Sequence, residues 1–134
     1  MAQTSSDAAQ TWDERASTWD DQDEAHVYAA QAFASLQPLV EQHLGDWSEL
    51  RALDFGAGTG LLTAMLAPRC REIVAVDISP KMIEVLATKI SGEGWSHVRA
   101  LAGDLSQLKT AFATLRAPVD PVVATSVCSC LPED

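Results

Sequence analysis

Long apolar runs, cysteine and positive charge are all scarce in this chain of 134 residues. No stretch approaches the roughly 18 to 20 consecutive apolar residues that a membrane-spanning helix needs. The beginning, MAQTSSDAAQ, lacks both the basic and the apolar regions of a signal peptide. The chain therefore reads as soluble and unexported. Cysteines number three, Cys70, Cys128 and Cys130, an odd count in no disulfide-framework spacing. That fits a reducing compartment and points to the cytoplasm. Nine Lys and Arg stand against 19 Asp and Glu, for a formal net charge of -10. Each contact with a nucleic-acid backbone wants a Lys or Arg, so this balance argues against nucleic acid as a partner. Much of the excess lies early, where Asp7, Asp13, Glu14, Asp20, Asp21, Asp23 and Glu24 face only Arg15. This stretch reads as a solvated helical arm. His26, His43 and His97 share no metal-ligand spacing, and Cys128 with Cys130 makes only a C-x-C, so no metal is expected.

What is present suffices for one core: 47% of residues are hydrophobic, and the length suits a single domain over 1–134. N-terminal helices are expected over about 11–45. TWDERASTW reads as a short helix capped by Thr11, with Asp13 and Glu14 in its first turn, where the helix dipole favours acids. A second helix is expected from about Asp23 to Leu44, with Val27, Phe33, Leu36, Leu39 and Val40 at helical spacing. Pro38 should kink or restart it, and Gly45 should close it. From about residue 50 the period changes. RALDF, EIVAVD, HVRAL and VDPVVATSV read as strands, separated by helices beginning near Gly60, Pro80 and Ser106. In SPKMIEVLATKI, Ser79 is the N-cap, Pro80 the first helical residue, and Met82, Ile83, Val85, Leu86 and Ile90 the inward stripe. Alternation of strand and helix implies an α/β protein with a Rossmann-like, doubly wound parallel sheet over about 50–134.

LDFGAGTG, residues 53–60, joins the first strand to the first crossover helix. Doubly wound sheets bind ligands at that end of the strands. Glycines there let a ligand lie against bare backbone, with the next helix offering amides. The dinucleotide fingerprint wants its third glycine one position later, where Leu61 stands, and the Lys of a P-loop is absent. Asp54, just before the loop, would repel a pyrophosphate and suits a ligand carrying an ammonium and a sulfonium.

On these residues the chain resembles the class I S-adenosylmethionine-dependent methyltransferases, especially the small bacterial ones of type 11 or 12. LDFGAGTG is similar to their motif I and VAVDIS to the second-strand motif ending in a ribose-binding acid. AGDL resembles the adenine-side motif after the third strand, and VVATSVCSCLPED the fourth-strand motif. The resemblance runs from about Trp12 onward. It implies S-adenosylmethionine as cofactor, with Gly56, Ala57, Gly58 and Gly60 lining its methionine and ribose portions and Asp54 near the methionyl amine. It also implies Asp77 on the ribose hydroxyls, Ile78 and Met82 flanking the adenine, and Asp104 with Leu105 at the adenine edge. Each has a plain structural alternative: the glycines a tight turn, Asp77 a cap for the Pro80 helix, Asp104 a turn residue. Trp12 and Trp19, seven apart on one helical face, read as packing before ligand lid.

No general base is named by the sequence; Tyr28, His26 and Ser126 are candidates only by nearness to the cleft. The resembled fold has seven strands in the order 3-2-1-4-5-7-6, whereas the pattern here ends after the fourth, so the sequence reads as truncated or completed by a partner. PVVATSVCS would then leave an uncharged strand edge through which chains could self-associate. The expected activity is methyl transfer to a small molecule. The alternatives are a non-catalytic module that binds S-adenosylmethionine or S-adenosylhomocysteine and serves a partner enzyme and, more distantly, an NAD-binding oxidoreductase domain.

Overall fold

The computed structural model describes residues 5–104 and 122–124, with side chains from Asp7 to Asp104. The helix expected near Ser106 lies outside these residues, as do Leu105, Ser126, Cys128 and Cys130.

The strands fall on short apolar runs, β-branched in β2 and β4. They are β1 (Arg51–Phe55), β2 (Glu72–Asp77), β3 (Val98–Ala102) and β4 (Val122–Ala124). All pair in parallel, in the order β3-β2-β1-β4. This is the doubly wound order, reversing beside β1, and it opens a crevice at the carboxyl ends of β1 and β2. Register sets Asp54 beside Ala75 and Asp77 beside Ala102.

Four helices accompany the sheet in the described residues: α1 (Ser5–Arg15), α2 (Asp23–His43), α3 (Leu61–Leu66) and α4 (Pro80–Glu93), with 3-10 turns at Trp19–Asp21 and Trp47–Glu49. Alternation along the strands divides the core between two faces. Ala52 and Ile73 pack with Val40 of α2 and Leu62 and Leu66 of α3, while Ala75 meets Ile83 and Leu86 of α4. Leu53, Val74 and Val76 point to the opposite face with Phe55 and Leu101. Leu53, Leu66, Ile73 and Leu86 are fully enclosed, and burying each such side chain stabilises the fold by about 1.5–3 kcal/mol.

Helix α4 begins as its sequence predicts. Ser79 is the N-cap and its hydroxyl accepts the Met82 N–H, Pro80 occupies the first turn, and Gly94 ends the helix in the left-handed region. The N-terminal part departs more. Helix α1 already includes Ser5, so Thr11 is an interior residue bonded to the Asp7 carbonyl at 3.0 Å, not a cap. Trp12 and Trp19 belong to separate elements and not to one helical face. Helix α2 contains Pro38 without restarting, and Gly45 at φ 86° follows its end. Its buried positions are Ala25, Ala29 and Val40, whereas Val27 and Leu39 are 54% and 55% exposed. Phe33 and Leu36, also on the expected face, are half-buried against the same core.

Candidate functional site

The loop after β1 owes its shape to three glycines with positive φ: Gly56 at 77°, Gly58 at 59° and Gly60 at 86°. Two backbone amides, those of Gly56 and Ala57, donate to one acceptor, the Val76 carbonyl of β2, at 2.7 and 3.0 Å. The loop is thereby tied across to the neighbouring strand. Gly60 is also required by packing, since a Cβ there would stand 2.3 Å from Leu86 Cδ1 on α4. At Gly58 the nearest atom to such a Cβ would be Trp19 Nε1 at 3.9 Å, so a Cβ would be in ordinary contact with the indole and it is the positive φ that calls for glycine.

Asp77 closes the second side. Its Oδ2 accepts the Gly58 N–H at 2.8 Å and its Oδ1 accepts the Ser79 N–H at 2.9 Å. The carboxylate thus joins the glycine loop to the start of α4, while Ser79 does the capping. Burial pushes its pKa above the ordinary 3.8; the Ser79 and Gly58 amides pull it back, and the nearby Asp13 carboxylate adds to the rise. The Asp77 carbonyl accepts the Gly103 N–H at 2.8 Å, which places half-buried Asp104 beside the same strand end. Ile78 is half-buried and Met82 buried behind it.

Asp54 has no exposed surface, and its Oδ2 accepts the Thr63 hydroxyl of α3 at 2.7 Å. It fastens the loop from beneath. The structure therefore brings Gly56, Ala57, Gly58, Gly60, Asp77, Ile78 and Asp104 to the carboxyl ends of β1, β2 and β3, while Met82 and Asp54 are buried. The base candidates are less central: His26 is exposed with a ring nitrogen 2.6 Å from the Asp20 carbonyl, and Tyr28 is exposed on α2. His97 lies 2.6 Å from the Ala67 carbonyl. Cys70 is buried, and burial pushes its thiol up to about 11, leaving it unreactive.

Sequence reasoning missed two contributors. Asp13 and Asp20 were read as part of a solvated arm, yet both reach the crevice. Asp13 Oδ1 accepts the Ser79 hydroxyl at 2.5 Å and the Lys81 N–H at 3.1 Å. Asp20 Oδ1 accepts the Thr59 hydroxyl of the glycine loop, and Oδ2 pairs with Lys89 Nζ at 2.7 Å. The available signal was the dipeptide Trp-Asp, repeated at 12–13 and 19–20.

The profile of the family described as "Methyltransferase domain" matches residues 52–134. Over 52 residues the chain is 42% identical to an rRNA adenine N-6-methyltransferase of Streptomyces fradiae, covering 39% of this chain and 16% of that protein. Over 61 residues it is 39% identical to a magnesium-protoporphyrin O-methyltransferase of Rhodobacter capsulatus, covering 46% and 27%. The chain thus spans only a minor part of the length of these curated relatives. Among solved structures, phosphoethanolamine N-methyltransferase 1 of Haemonchus contortus, in complex with S-adenosylhomocysteine, is alike in fold: TM-score 0.57 and 22% identity over 78% of this chain and 22% of that one. A putative RNA methyltransferase of Pyrococcus horikoshii gives a TM-score of 0.50 at 27% identity, over 69% and 42%. With the glycine loop, the acid ending β2 and the 3-2-1-4 strand order, these matches show that the chain belongs to the class I S-adenosylmethionine-dependent methyltransferases.

Proposed function

We propose that the crevice between the glycine loop and Asp77 holds S-adenosylmethionine and that the protein transfers its methyl group to a small molecule. The observation that carries this reading is the Gly58–Asp77 bridge. It puts a carboxylate at the end of β2 directly against bare loop backbone, where a ribose and a methionine chain could lie side by side. Gly58, at a φ of 59°, keeps that stretch of backbone bare.

The cofactor supplies an already activated methyl on its sulfonium, displaced in line by an O, N, S or C nucleophile of the acceptor. The protein's share is alignment of the two reactants and exclusion of water. Each oxygen of Asp77 accepts one backbone N–H and retains a second lone pair for a ribose hydroxyl. Half-buried Ile78 offers apolar surface to the adenine, backed by buried Met82, and Asp104 accepts at its edge. Asp54 acts through Thr63, fixing the loop relative to α3. Acids dominate the arm beside the crevice, which suits a neutral or cationic acceptor and repels a polyanion.

RNA is the second reading, favoured by the likeness to an rRNA adenine N-6-methyltransferase and opposed by the net charge of -10. Transfer of labelled methyl from S-adenosylmethionine to a small-metabolite extract and to total RNA, run in parallel, separates the two. Label in the metabolite fraction supports this proposal. Label in RNA alone replaces it with the second reading. Calorimetry with S-adenosylmethionine and NAD alongside tests the cofactor, and only the first should bind.

A further inference from the structure

Helix α2 differs from the rest of the surface. Residues 27–40 carry no charged side chain, in a chain where 21% of residues are charged. Among the described residues, the large apolar side chains left exposed are Val27, Tyr28, Leu39 and Leu44. All four belong to α2 or to its C-cap residue. A helix on the outside of a fold normally turns charge toward water, and one uncharged all round belongs in an interior. The core takes only one side of α2, through Ala29, Phe33, Leu36 and Val40.

Tyr28, Ala32, Ser35 and Leu39, with Leu36, line a groove of about 280 Å³ along the helix. Successive steps of four, three and four residues put the first four on one face, the spacing with which paired helices interlock. Against an antiparallel copy of itself, this face is complementary in size. Tyr28 comes opposite Leu39 and Ala32 opposite Ser35, each pair occurring twice, so that small residues at the twofold axis let the backbones approach and large ones fill both ends. Charge selects the same partner. At a net charge of -10, contacts between two copies are opposed by like charge, whereas residues 27–40 meet with no charge to desolvate. Antiparallel pairing also brings the acidic first turn, Asp23 and Glu24, to the end of the second copy that carries His43. Glu41 at that end is already engaged, its Oε1 accepting the Gln37 amide at 3.1 Å.

We propose that this face of α2 is the interface of a homodimer, occupied by α2 of a second copy, antiparallel and centred between Ala32 and Ser35. It involves neither β4, an outer strand of the sheet, nor the residues of the crevice. A contact between two 21-residue helices is small among stable interfaces. The dimer should therefore dissociate on dilution through the micromolar range.

The test uses the 134-residue chain as wild type, Leu39→Glu, Ser35→Cys and Gln42→Cys. Sedimentation equilibrium should show wild type passing from dimer to monomer on dilution. Leu39→Glu places a charge at each end of the groove and should weaken association by roughly thirtyfold or more, with an unchanged circular dichroism spectrum at dilutions where wild type is monomeric. Mild oxidation carries the test if that variant loses helix. Ser35→Cys lies beside the twofold axis and should cross-link to itself, whereas two copies of Gln42→Cys would stand roughly 25 Å apart along the helices, beyond disulfide reach. Wild type controls for Cys128 and Cys130. A chain that stays monomeric at every concentration overturns the proposal. So does a dimer indifferent to Leu39→Glu, which would be held through another surface such as β4, and so does cross-linking at Gln42→Cys as ready as at Ser35→Cys, which would make the helices parallel.

Discussion

The glycine loop and the acidic arm face each other across one crevice but are built on different physics. The loop is held from within by close backbone approach, three positive-φ glycines, and amides sharing the Val76 carbonyl. The arm is held from outside by carboxylates reaching partners 39 to 68 positions away. A loop of the first kind tolerates almost no added atom. An arm of the second kind can lose a contact and still leave the core folded. The loop therefore depends on its own backbone geometry, and the arm on side chains distant in sequence.

The largest effect is expected where the loop meets α4. Gly60→Ala adds a Cβ 2.3 Å from Leu86 Cδ1 at a φ of 86°. Left-handed strain and overpacking together should cost about 2–4 kcal/mol of stability, measured by urea denaturation. Pairing it with Leu86→Ala should give less than the sum of the two single losses.

Asp77→Ala comes next, and it should weaken S-adenosylmethionine binding by about 1.5–3 kcal/mol through lost charge-assisted hydrogen bonds. Acid should act in the same direction. Because burial raises this carboxyl above 3.8, it protonates at higher pH than an ordinary aspartate as pH falls. The binding that needs its charge should therefore begin to fail above that value, and a calorimetric pH series would show the fall displaced upward relative to a free carboxylate.

Gly58→Val separates binding from folding. Its side chain would enter the gap below Trp19, and the positive φ adds about 1–2 kcal/mol of strain. Affinity should be lost to a greater extent than stability; normal binding by this variant would reduce the loop to a turn. The smallest effects belong to α2. Leu39→Gln and Val27→Thr alter residues more than half exposed and should shift stability by no more than about 0.5 kcal/mol.

The same division explains what the sequence disclosed. β2 announces itself through a β-branched run, β1 and β3 through short apolar segments between helical ones, and α4 through Ser79, Pro80 and its apolar stripe, because these signals are local. The glycine loop and Asp77 were legible for a similar reason: spacing along a strand-loop-helix unit fixes where they meet. Asp13 and Asp20 were not, since a carboxylate that pins a hydroxyl across the fold looks in sequence like one facing water. Thr11 illustrates a nearer failure. An acid-rich stretch after a threonine imitates a helix start, yet the helix runs through it from Ser5. In α2 the expected stripe holds at Phe33, Leu36 and Val40 and fails at Val27 and Leu39, while Ala25 and Ala29 take buried positions instead.

The central claim is that Asp77 and the glycine loop form one cofactor site. Titration of wild type and Asp77→Ala with S-adenosylhomocysteine, with circular dichroism on both, tests it most directly. The account predicts binding by wild type, affinity lower by roughly ten- to a hundredfold in the variant, and superimposable spectra. Equal affinity in two equally folded proteins would contradict it.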